Sequence, residues 1–181
     1  MKKLLFPLFL VAMLLFGCSF SSKETSQKNT ILRASEILLM EDGDMYDALT
    51  ERFMDAEPST LNGKQRTVAV LITFDAENLN GGLCQFFVND HAGYAQYVCD
   101  ALGEIGATEM QVHYLSFIKQ NRIDVTKMDS FRIEGVQDYS KQLERFPFEA
   151  FDNTFSEIYQ RENLADLLLS YVRLHSDEIL D

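Results

Sequence analysis

Basic residues are scarce in this chain. Its 181 residues carry 16 lysines and arginines against 28 aspartates and glutamates, a formal charge of −12. So acidic a balance repels phosphate backbones and anionic lipid headgroups, which argues against direct binding of DNA, RNA or a charged membrane surface. A basic protein or a cation is the complementary partner. Catalytic signatures are missing too: there is no Gly-x-Ser-x-Gly elbow, no His-Glu-x-x-His and no Cys-x-x-Cys. Leu61-Asn62-Gly63-Lys64-Gln65 has the look of a phosphate-loop end, but the earlier glycine and the hydroxyl residue after the lysine are absent, and it reads as a turn. The three histidines, His91, His113 and His175, stand apart from one another and from any cysteine at ligand spacing. A zinc site is therefore not expected, nor is any cofactor. Carboxylates are so numerous that spacing alone identifies no catalytic pair, and the expectation is a protein that is not an enzyme.

Apolar residues are concentrated at the start. Lys2 and Lys3 precede an almost unbroken apolar stretch from Leu4 to Phe16, then Gly17 and Cys18. The stretch is short for a membrane span and has the layout of an export signal. Leu15-Phe16-Gly17-Cys18 resembles a bacterial lipobox, in which the cysteine sulfur is alkylated by a diacylglyceryl group and the leader is cut just before it. On that resemblance residues 1–17 are a lipoprotein signal peptide, Cys18 is the lipidated residue, and the partner it implies is a lipid bilayer. Two or more acyl chains make such an anchor stable, at about 0.8 kcal/mol per buried methylene. Ser19 follows the cysteine where an aspartate does not, the pattern of outer-membrane sorting if the organism is Gram-negative. Losing Lys2 and Lys3 with the leader takes the formal charge from −12 to −14.

Residues 18–33 are polar and without a period that could bury a face, so they read as a flexible tether reaching on the order of 20 Å. Residues 34–181 suit one domain. Its periodicity is helical. Asp44 is placed to cap a segment from Met45 to Glu57 with Met45, Leu49, Phe53 and Ala56 on one stripe. Val68-Ala-Val-Leu-Ile-Thr-Phe74 has strand propensity. No second strand is available to pair with it, and a lone strand leaves its backbone groups unsatisfied, so Lys64 to Asn78 is expected as helix. Further helices are expected from Asn89-Asp90 through Leu102, over Glu109 to Asn121 with Val112, Leu115 and Ile118 inward, over Tyr139 to Phe146, from Phe148 to Tyr159 behind Pro147, and over Leu164 to His175. The fold class is all-α, a single multi-helix domain. Cys84 and Cys99 form an even pair that an oxidising compartment could join, but their apolar neighbours suit two small core residues better.

The densest pattern is Asn80-Gly81-Gly82-Leu83-Cys84-Gln85-Phe86-Phe87-Val88-Asn89, followed by Ala101-Leu102-Gly103-Glu104-Ile105-Gly106-Ala107. The two glycines permit a sharp reversal, Phe86 and Phe87 supply apolar bulk, and Asn80, Gln85 and Asn89 can satisfy the backbone groups a reversal opens. Together with Phe151-Asp152-Asn153, Phe155, Tyr159 and Tyr171-Val172-Arg173, this resembles the small acidic helical family named for a DNA-mimic protein, over roughly Met45 to Leu180. Leu83-Cys84 departs from that family's usual Phe and polar residue, which touches packing more than function. The resemblance implies a helical domain without catalytic residues, sometimes a homodimer, whose founding type displays carboxylates in place of DNA phosphates. Asp44, Asp47, Glu51 and Asp55 recur at three or four residues on one helix face, spaced about 5 to 6 Å along the axis, and form the candidate acidic interaction face. The leading expectation is an exported, non-enzymatic acidic binding module. The alternatives are an envelope enzyme using carboxylates, or a DNA mimic that sequesters a DNA-binding protein if the chain is not exported.

Overall fold

A 26-residue helix, α3 (Gly63–Val88), runs through the middle of the molecule. Its start is fixed locally: Asn62 Oδ1 accepts from Gln65 N–H at 2.9 Å and Gln65 Oε1 accepts from Asn62 N–H at 3.3 Å, a reciprocal cap that satisfies two otherwise open donors. The apparent phosphate-loop end is therefore the N-terminus of this helix. Val68, Ala69, Val70, Leu71, Ile72 and Phe74 are all fully buried. A helix apolar on every side belongs in a core, which explains why a β-branched run is helical here.

The computed structural model describes residues 33–54, 56–90 and 93–180. Cys18, the leader, the tether up to residue 32, Asp55 and His91 lie outside the described residues. Around α3 are α1 (Ala34–Ile37), α2 (Asp42–Phe53), α4 (Val98–Glu104), α5 (Thr108–Asn121), α6 (Val136–Arg145), α7 (Phe148–Tyr159), α8 (Leu164–Leu174) and α9 (Ser176–Ile179). Among the described residues there is no strand, and the class is all-α. Helices α2, α4, α7, α8 and α9 pack directly on α3, and α5 packs on α4 and α7. Aromatic rings knit these layers together. Phe74 of α3 meets Phe86, Tyr114 of α5 and Phe155 of α7 edge to face at 5.2, 5.6 and 5.9 Å, an arrangement the ring quadrupoles favour.

Several carboxylates are used up inside this frame. Glu162 accepts from the backbone N–H of Glu109 and Met110, at 2.9 and 3.0 Å, and so caps α5 from a distant loop. Asp90 accepts from Tyr94 and Ala95 N–H and caps a short 3-10 turn, Tyr94–Gln96. Negative groups at helix starts complement the exposed N–H groups and the positive end of the dipole. These two carboxylates therefore hold helical turns in place.

The local expectations fail where a distant group decides. Asp44 does not cap α2: Glu41 occupies the cap position and Asp44 sits inside the first turn, and the helix stops at Phe53 rather than Glu57. Between Asn89 and Leu102 the chain makes the 3-10 turn first and becomes α-helical only at Val98. Val112 faces out, 58 % exposed, because Met110, Tyr114 and Phe117 take the inner face of α5; two residues from Met110 is more than half a turn away. The indistinct stretch from Arg122 to Gly135 contains a 3-10 turn, Met128–Phe131, that drives Phe131 into the core against Phe87 at 4.9 Å. Cys84 is a buried free thiol and Cys99 a half-buried one, so the pair is not joined.

Candidate interaction face on the second helix

The inner side of α2 is apolar: Met45, Leu49 and Phe53 are buried against α3 and α8. Its outer side carries Asp44, Asp47 and Glu51, all exposed. Among the described residues none of these three enters an ion pair; the acid of α2 that does is Asp42, 2.5 Å from Arg173 of α8. The one basic residue of the helix, Arg52, turns away, donating to Leu180 O at 2.7 Å with its guanidinium 5.4 Å from the Phe53 ring. Among the described residues the stripe thus has no ion-pair partner.

Polar bonds fix the seat of α2. Tyr46 O–H donates to Asp75 Oδ2 of α3 at 2.7 Å, and Tyr159 O–H of α7 donates to the same oxygen at 3.3 Å. Thr73 O–H donates to Met54 O at 3.0 Å, and Tyr94 O–H reaches Ala56 O just beyond. Asp75 is 2 % exposed. Burial pushes its carboxyl above the ordinary aspartate range while the two phenol donors pull the other way, and burial beside Asp75 pushes both phenols up in turn. The charge of an isolated buried carboxylate is costly, which is the direction seen.

The glycine pattern forms a corner in α3. Gly81 (φ −151°, ψ 17°) and Gly82 (φ 78°, ψ −177°) leave helical geometry and the helix resumes at Leu83. The open N–H of Leu83 is taken by Asp152 Oδ1 of α7 at 2.9 Å. Gln85 and Asn89 do not serve the backbone as expected: both side-chain amides donate to Glu77 Oε2, at 2.6 and 3.1 Å, bracing the two limbs. Asn80 is exposed, and Phe86 and Phe87 fill the core below. Tyr139 O–H of α6 lies 3.4 Å from Gly81 O. Burial pushes the Cys84 thiol to about 11 and Tyr139 to about 12, so this thiol is protonated and a poor nucleophile at neutral pH. His113 stacks on Phe151 with ring centroids 4.2 Å apart, and its Nε2 donates to Phe151 O at 3.0 Å.

No group of three or more His, Cys, Asp and Glu among the described residues is placed to hold a metal ion. Nor is any described helix long and apolar enough to cross a membrane. Clefts lined by described residues include the following two. One of about 520 Å³ is lined by Phe87, Asn89, Gln96, Lys127 and Arg132 among others, and one of about 470 Å³ by Asn62, Gly63, Lys64, Glu104, Asp177 and Glu178. Asp75 and Asp152, the carboxylates raised by burial, line neither. In the second cleft burial alone would raise Glu104, but hydrogen bonds from Lys64 at 2.8 Å and Thr67 at 2.5 Å outweigh it and hold the group low.

The model of the DMP19-like protein family matches residues 59–175, about two-thirds of the chain. The chain belongs to the DMP19-like family. No curated protein and no solved structure matches it. The DMP19-like match is narrower at both ends than the span from Met45 to Leu180. It contains the glycine corner, Asp75, Asp152 and Tyr159, and it leaves out α2. The frame is the DMP19-like part, while the acidic stripe stands on a helix just before it.

Proposed function

We propose that this chain is an exported, lipid-anchored, non-enzymatic protein whose helical domain binds a basic partner protein through the outer face of α2, the helix just before its DMP19-like part. The observation that carries the reading is the row Asp44, Asp47 and Glu51, exposed and without an ion-pair partner among the described residues, on a helix pinned from beneath by Tyr46, Arg52 and the core. One-turn spacing lets successive carboxylates meet lysines or arginines along a partner helix or loop. Rigid seating reduces the entropy lost when the contact forms. That neither cleft is lined by a carboxylate raised by burial favours a binding role over acid and base catalysis.

Pull-down from detergent-solubilised envelopes should recover a basic partner at low salt and lose it at high salt, since exposed charge pairs are screened. In the triple variant Asp44→Asn, Asp47→Asn, Glu51→Gln the partner's Kd should rise roughly tenfold, the sum of three exposed pairs at about 0.2 to 1 kcal/mol each. Unchanged affinity would remove α2 from the interface.

The anchor has its own test. Growth with a labelled fatty acid should mark the wild-type protein and leave Cys18→Ala unmarked and soluble. An unlabelled wild type in the cytoplasm would overturn the anchor and turn the reading to DNA mimicry, the role that the family resemblance implies, with the same carboxylates facing a DNA-binding protein.

A further inference from the structure

Two buried acceptors on α3 have no donor. Asp75 Oδ2 already receives both phenol protons, from Tyr46 and Tyr159, while Asp75 Oδ1 is sealed from solvent with no hydrogen-bond partner. Asn78 is in the same position: its Nδ2 donates to Phe74 O at 2.7 Å, and its Oδ1 is buried and unpartnered. Both residues are at least nine-tenths buried. They are three positions apart, hence neighbours on one helix face. Two buried oxygens that can only accept, one helical turn apart on the same face and each without a donor, are a deficit that native interiors avoid.

We infer that Asp75 is a neutral carboxylic acid in the folded protein, with its proton on Oδ1 donated to Asn78 Oδ1. One proton removes both deficits: it discharges the buried carboxylate and gives Asn78 its missing donor. The surroundings point the same way. From α2 come Tyr46 and Asp47, from α7 Tyr159, and from α8 Asp166; the two aspartates act on the phenols and are themselves negative. No lysine, arginine or histidine is among the groups that act on Asp75. Apart from the two phenol donors, no group that acts on Asp75 compensates an ionised form, and burial, the largest influence on the carboxyl, favours the neutral one.

The result is a proton-dependent joint. Tyr46, Asp75, Asn78 and Tyr159 make one network that ties α2 and α7 to α3. The folded carboxyl sits above its unfolded value, so the native state holds a proton that the unfolded chain has released. Its contribution to stability is fully present below the unfolded value and is lost as pH rises through the folded one. Because Tyr46 seats α2, a pH above the folded carboxyl's own value would loosen the acidic face; that last step alone rests on the function proposed above.

Infrared spectra of the full chain with 13C-labelled aspartate test the proton directly and need no partner. At neutral pH, where exposed carboxylates are ionised, the wild type should show one protonated-carboxyl band. Asp75→Asn should lack it. That variant can place an amide donor toward Asn78 and an oxygen toward the phenols, so it should fold, and the fall in thermal midpoint expected of the wild type as pH rises through the folded carboxyl's value should flatten. Asn78→Ala should shift the loss of the band to lower pH. A wild type without the band at neutral pH, or a band that survives in Asp75→Asn, overturns the inference. A band whose pH midpoint is unmoved by Asn78→Ala overturns the sharing with Asn78, the result expected if a bridging water supplies the donor.

Discussion

Replacing Gly82 with alanine should destabilise the protein by on the order of 3 kcal/mol, while the same change at Gly81 should cost less than about 1 kcal/mol. The two neighbours differ in what a Cβ would meet. At Gly82 the backbone lies at φ 78°, a conformation L side chains rarely adopt, and the added carbon would sit 2.3 Å from Asp152 Oδ2. Asp152 cannot yield freely, because its other oxygen caps Leu83 N–H. Displacing it leaves that donor open in a half-buried corner, adding to the backbone strain. At Gly81 φ is −151°, ordinary for any residue, and the contact is the far end of Gln85, which can swing away at the expense of its bond to Glu77. Urea unfolding of the two variants side by side gives the comparison. Equal midpoints would mean that the corner does not depend on Gly82.

Elements whose form follows from their own residues were legible in the sequence. The segment Phe148 to Tyr159 is helical to the residue, with Pro147 at its start. The apolar run of α3 was assigned to helix by asking where a strand's hydrogen bonds would go. The glycine corner was visible too, yet its cap was not: Asp152 is 69 positions from Leu83, and short-range rules place no such partner. Gln85 and Asn89 were assigned to the backbone when Glu77 was waiting one helical limb away. Asp75 carried a signal that went unread. An acid between Phe74 and Ala76, on a helix apolar all round, has to point into the core, and Asn78 one turn on has to point there with it. Val112 went astray because helical spacing alone admits more than one inward stripe, and Tyr114 and Phe117 outweigh two aliphatic residues. Phe131 could not have been found, since one ring anchors an irregular loop that has no period.

Phe74→Ala should be the most damaging single truncation in the core, at about 3 to 5 kcal/mol, with Phe74→Leu well below it. The ring is fully buried and is the meeting point of three directions: Phe86 beyond the glycine corner, Tyr114 on α5 and Phe155 on α7. Truncation would open a void that these rings cannot fill, because each is held by further contacts, Phe86 by Phe87 and Phe155 by Phe151 and Tyr159. Leucine restores most of the volume but none of the edge-to-face geometry, a difference of about 0.5 to 1.5 kcal/mol per aromatic pair. Phe74 also joins the two limbs of α3 across the bend, since it lies before Gly82 and Phe86 after it. The cost of Phe74→Ala should therefore not add to that of Gly82→Ala: once the corner is strained, the contact between Phe74 and Phe86 is already loosened. A double variant less destabilised than the sum of the two, read from the same urea curves, would show that ring packing and the glycine corner act as one unit. Strict additivity would show that the corner is held by the polar bonds of Asp152 and Glu77, independently of the ring packing.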